Sequence, residues 1–119
     1  MTGAVLIRWG SNVPGRETKG LEVFGKAIER FEQLAKSGRI HGHREYIALT
    51  GSPGGFMIIE GEVEELQKIL LEPENLALTT QATMIVQDFE QNLYAGGSDQ
   101  TIQQLIGVEL DSLASLGYV

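Results

Sequence analysis

The amino-acid sequence predicts an α+β domain with the element order β-α-β-β-α-β, followed by one more helix. Three observations carry this expectation. Residues 4–9 (AVLIRW) form a short apolar run of strand formers. From Leu21 to Ala35 the apolar residues recur at helical spacing. Two strand-like runs, 40–49 and 56–60, flank a turn rich in Gly and Pro.

The first run ends at Gly10-Ser11-Asn12 and has apolar residues on both alternating faces, as a central strand buried on two sides does. Pro14-Gly15 marks a loop. The period then becomes helical: Leu21, Phe24, Ala27, Ile28, Phe31 and Leu34 form one stripe, and Glu and Lys fill the opposite face. Gly38 is placed for a left-handed cap. In the hairpin, residues 40–49 (IHGHREYIAL) and 56–60 (FMIIE) are joined by 50–55 (TGSPGG). Pairing Arg44 with Glu60 would set Tyr46 opposite Ile58 and Ala48 opposite Phe56, and it keeps Glu45 away from Glu60.

The acids Glu62, Glu64 and Glu65 suit a helix N-terminus. Val63, Leu66, Ile69 and Leu70 make its buried stripe, Pro73 its expected end, and 74–78 one further short turn. Residues 83–93 (TMIVQDFEQNL) read as the fourth strand, broken by Ala95-Gly96-Gly97. Ser98-Asp99 offers an N-cap for a last amphipathic helix over 98–117. The expectation is one domain, 1–119, with a core at 4–95. Right-handed crossovers give a ferredoxin-like antiparallel sheet of order 4-1-3-2 with the helices on one face.

Composition narrows the function classes. The net charge of −7 and pI near 4.7 disfavour nucleic acid and anionic membrane as partners. With no cysteine, disulfides, thiolate chemistry and Cys-based zinc sites are excluded. Met1-Thr2-Gly3 leads straight into a strand pattern without a basic or long apolar leader, and a cytoplasmic location is expected.

The apolar second face of the central strands requires a cover. In element order, in the stripe of the first helix, in the strand-turn-strand IHGHREYIALTGSPGGFMIIEG and in Leu70-Leu71-Glu72-Pro73, the chain resembles the dimeric α+β barrel superfamily over about residues 4–95. Its members include YCII-related proteins and antibiotic-biosynthesis-type monooxygenases. The resemblance implies a homodimer of sheets packed face to face, with the last helix free to reinforce it. A monomer using that helix as its own lid is the alternative. It further implies a pocket between sheet and helices for a small organic molecule, with no cofactor expected. A non-catalytic regulatory or interaction module is the competing expectation.

Few polar residues interrupt the apolar pattern. His41 and His43, two apart on one strand, point one way and with Glu45 could ligate a divalent ion, but a His-x-His at a strand start commonly has no metal, and none is expected. Arg8 in an apolar strand needs an anion or an acid such as Asp88. Asp88 is expected mid-strand. A His and an Asp are suspected of acting together in YCII-like proteins, and the resemblance makes His43 and Asp88 the nearest match. His43, Asp88 and Arg8 are thus the catalytic candidates, and His41, Trp9 and Tyr46 the ligand-binding ones. Glycines 51, 54 and 55 open no helix and form no phosphate loop.

Overall fold

A computed structural model describes residues 1–119. The elements are β1 (Thr2–Trp9), α1 (Glu17–Lys36), β2 (Gly42–Ile47), β3 (Gly55–Glu62), α2 (Val63–Leu71), α3 (Pro73–Ile85), β4 (Glu90–Ala95) and α4 (Asp99–Ser115). The strands form one antiparallel sheet, β2-β3-β1-β4. From its other edge this is the expected order 4-1-3-2, and the fold is ferredoxin-like.

The two periodicities of the sequence determine which face each residue takes. Odd-numbered residues of β1 and β3 (Val5, Ile7, Met57, Ile59) are buried beneath the helices with Phe31 and Leu34 of α1 and Leu66 and Ile69 of α2. The even-numbered residues (Ala4, Leu6, Phe56, Ile58), with Tyr46 of β2 and Tyr94 of β4, lie on the opposite, open face. There Tyr46 stacks on Phe56 with ring centroids 4.8 Å apart. Arg8 pairs with Glu90, and Arg44 with Glu60 at 2.7 Å.

The hairpin register differs from the expected one by two residues: Gly42 lies opposite Glu60, Arg44 opposite Ile58 and Tyr46 opposite Phe56. An even slip keeps every side chain on its face, and Arg44 still reaches Glu60 diagonally. This register requires the glycine at 55, since a Cβ there would overlap the Tyr46 carbonyl oxygen. Gly38 takes the left-handed cap with φ 78°.

The fourth strand requires a larger correction. Residues 83–85 are helical, and the strand runs Glu90–Ala95 in place of 83–93. Pro73 starts a helix here instead of ending one: Glu72 is extended, Pro73 occupies the first helical turn, and its missing N–H costs nothing at that position. Thr79, Thr80 and Thr83 lower the local helix propensity, but Asn75 and Ile85 are buried on this helix, and Leu78 and Ala82 are partly so. Tertiary packing overrides the local preference. Asp88 is not mid-strand; it sits in the following turn with φ 56°, a conformation Asp tolerates.

Two arginines lock the helices together at the α2–α3 junction. Glu72 receives hydrogen bonds from Arg39 at 2.9 and 3.1 Å and from Arg30 at 2.8 Å, while Arg39 also reaches Glu65 at 2.7 Å. Arg39, and then Arg30, hold the Glu72 carboxyl below its ordinary value of 4.5 against an opposing effect of burial. A carboxyl depressed in the folded state stabilises above its unfolded pKa, and the contribution fades as pH falls through the folded value. Glu72→Gln is therefore expected to lower the urea midpoint at pH 7, with the two proteins converging as pH drops below 4.5. Parallel urea titrations from neutral to acid pH measure this; a gap that is constant with pH would contradict it.

No helix is long and apolar enough to cross a membrane. The Cα radius of gyration is 16.9 Å, against ~13.5 Å for a compact chain of this length. The excess comes with α4, which is pinned in its first turn. Ser98 Oγ accepts from the Thr101 N–H at 3.2 Å, and Thr2 donates its N–H to Thr101 Oγ1 at 3.1 Å and its hydroxyl to the Gly96 carbonyl at 2.7 Å.

Candidate ligand cleft

A concavity lies between the sheet and the helices α1 and α3, near the C-terminal end of β1. Ile7, Trp9, Met57 and Gln91 form its floor, and Phe24, Ala27, Phe31, Leu78, Thr79 and Ala82 its walls. Its volume is about 630 Å³, and 14 of its 24 lining residues are hydrophobic, so the wall chemistry is mostly apolar. Trp9 is held edge-on against Phe24 with centroids 5.7 Å apart.

Local sequence creates this space. Beyond Trp9 the chain leaves the sheet, and Gly10 donates to the Gln87 carbonyl at 2.7 Å, which ties the end of β1 to the turn after α3. Asn12 lies over α1 where Gly20 leaves room; a Cβ there would stand 2.6 Å from Asn12 Oδ1. The side-chain polar groups of the cleft are chiefly neutral: Ser11, Asn12, Asn75, Thr79 and Gln91. Thr79 Oγ1 donates to Gln91 Oε1 at 3.3 Å, and Asn75 Oδ1 accepts from Arg30 Nε at 3.0 Å. Glu17 is the single titratable residue of the lining. No buried side-chain polar atom lacks a partner, so no orphaned group here calls for an ion.

The candidate residues named from the sequence fall in separate places. Trp9 alone among them lines the cleft. Arg8 and Tyr46 stand on the open face of the sheet, Arg8 paired with Glu90 in place of Asp88. The His43 side chain, 9% exposed, lies on the helix side of β2 beside Phe31. Its Nδ1 contacts Glu45 and its Nε2 is 3.1 Å from Glu32, so both ring nitrogens are engaged. His41 is exposed and lies 3.7 Å from Glu62. His41, His43 and Glu45 do not form a converging metal-ligand set.

His43 belongs to one edge strand, and Asp88 precedes the other. Two strands lie between these edges, a separation of roughly 14 Å across the sheet. His43, Arg8 and Asp88 therefore do not converge on one cavity. Asn12, Asn75, Thr79 and Gln91 were not legible as site residues, since α3 was hidden and isolated neutral amides carry no motif. The one available signal was Trp9-Gly10-Ser11-Asn12, a strand ending on small and amide residues.

Fold and cleft define a ferredoxin-like α+β protein with an apolar cavity under its helices. Among solved structures, the chain is similar to a dimeric protein of unknown function and ferredoxin-like fold from Bacteroides fragilis NCTC 9343. That likeness has a TM-score of 0.59 at 11% identity and covers 78% of this chain and 94% of the other. No protein-family model and no curated protein matches the chain.

Proposed function

We propose that the chain is a homodimeric protein of the dimeric α+β barrel kind that binds a small, uncharged, largely apolar organic molecule in the cleft. The cleft itself is the observation that carries this reading. Its volume of about 630 Å³ falls within the range of small-molecule sites, and apolar walls with a few neutral hydrogen-bonding groups suit such a ligand. Binding is favoured over acid–base catalysis because Glu17 is the sole titratable side chain of the lining. The apolar open face supports a dimer of packed sheets, as does the dimeric state described for the Bacteroides protein. The likeness to YCII-related and monooxygenase-type barrels is part of the same proposal and rests on the shared plan of elements. The second reading, an interaction module, is favoured by the unpartnered helix α4.

Trp9 is the only tryptophan, so its emission reports on the cleft without interference. An uncharged naphthylamine probe is expected to quench Trp9 by energy transfer on binding. In Ala82→Phe, which adds a ring to the α3 wall of the cleft, affinity measured on the folded variant should fall by at least about tenfold. Equal probe affinity in the folded variant would contradict the assignment.

A further inference from the structure

Beyond Thr101, α4 is a helix without a partner. Ile102, Ile106, Leu110 and Leu116 are exposed, and with Leu105 and Leu113 they share one stripe. From Ile102 to Ser115 no residue of the helix is buried, and an isolated helix of that length is marginal in water. The solvent-accessible surface shows the same deficit of packing. It amounts to 7649 Å² for 13.0 kDa, against about 6,300 Å² for a monomer of that mass, a surplus of about 1,300 Å². Two chains carry twice that, about 2,600 Å², within the range of large, permanent interfaces.

Charge adds a second constraint. Glu109 lies seven residues after Ile102, inside the apolar stripe, and it makes no ion pair within the chain. Any surface that covers the stripe must offer it a cation. The β2 margin of the open sheet face carries Arg44, half exposed and 2.7 Å from Glu60, beside the stacked Tyr46 and Phe56, so Glu109 would share a guanidinium that Glu60 already engages. The dimensions agree. A helix of 17 residues is about 25 Å long, close to the span of an eight-residue strand such as β3.

We infer that α4 is an exchanged arm, its stripe seated on the β2 margin of a second copy's open sheet face with Glu109 meeting Arg44 there. The inference rests on the homodimer proposed above and extends it with a contact that the packed sheets alone do not require. Its first turn, fixed to Thr2 by Ser98 and Thr101, acts as the pivot that sets the arm's direction.

The test is sedimentation velocity on the full chain, the double variant Ile106→Asp/Leu113→Asp, Tyr46→Asp, and their combination. Far-UV circular dichroism checks the fold of each. The inference expects a wild-type mass of twice 13.0 kDa. The arm variant and Tyr46→Asp should each weaken association by at least about tenfold, and combining them should add little, as for two sides of one contact. An arm variant that dimerises like wild type overturns the exchanged arm while leaving the sheet-packed dimer intact. Loss with the arm variant but not with Tyr46→Asp overturns the assigned seat. A wild-type chain that is monomeric at about 100 μM, where a standard interface would be saturated, overturns both the arm and the dimer.

Discussion

Gly54→Ala is expected to destabilise the protein by about 3 kcal/mol and to disturb the cleft together with the fold. Gly54 has φ +109°, a backbone conformation that a side chain strains. An added Cβ would also overlap the Trp9 carbonyl oxygen and stand 2.8 Å from that of Gly10. These are backbone atoms, fixed by the pairing of β1 with β3 and by the Gly10–Gln87 hydrogen bond, so they cannot yield as a flexible side chain would. The substitution therefore has to push the β2–β3 loop off the end of β1. Because Trp9, Gly10 and Gly54 all line the cleft, the damage should appear both as a lower urea midpoint and as altered Trp9 emission in the folded baseline. A variant within about 1 kcal/mol of wild type would show that the loop relaxes away without strain.

Leu66→Ala should cost a similar amount, about 3 kcal/mol, for a different reason. Leu66 is 1% exposed and packs with Ile40, Ile59 and Ile69 in the core under α2, its side chain 3.4 Å from the Cβ position of Gly61. Truncation removes apolar contacts and leaves a void that neighbouring strands and helices cannot close. Leu71, on the same helix but 72% exposed, is the internal control, and Leu71→Ala should stay within about 0.5 kcal/mol of wild type. Leu66 does not line the cleft, so probe binding measured on folded protein should be retained in Leu66→Ala. Equal effects at the two leucines in urea titrations would contradict the burial assigned to them.

Much of the architecture was legible because periodicity reports directly on burial. The stripe from Leu21 to Leu34 identified α1, and AVLIRW and FMIIE identified the central strands with apolar residues on both faces. The fourth strand was misread where local and tertiary signals conflict. Thr83, Ile85 and Val86, all β-branched, imitate a strand, while Pro73, expected as a stop, begins α3. Misplacing α3 also hid one wall of the cleft, since Leu78, Thr79 and Ala82 belong to it. Of the residues singled out from the sequence, Trp9 alone lines the cleft, and an aromatic at a strand end is conspicuous. Arg8 was rightly read as needing a partner, but Glu90, not Asp88, is the acid that the register sets opposite it.

By itself the sequence determined the antiparallel sheet of order 4-1-3-2, the helix packed across it and the apolar second face. The faces follow from spacing along the chain, which sets the side each residue takes, and the strand order follows from the order of elements with right-handed crossovers. Only the tertiary structure decided the two-residue register of the hairpin, the start of α3 at Pro73, the cleft between α1 and α3, and the projection of α4. Each depends on contacts between residues far apart in sequence: a Gly55 that must clear the Tyr46 carbonyl, an Arg30 that reaches Asn75, and a Thr2 that anchors Thr101. Local propensity carries no information about such meetings, and it is these meetings that create the cavity and free the arm.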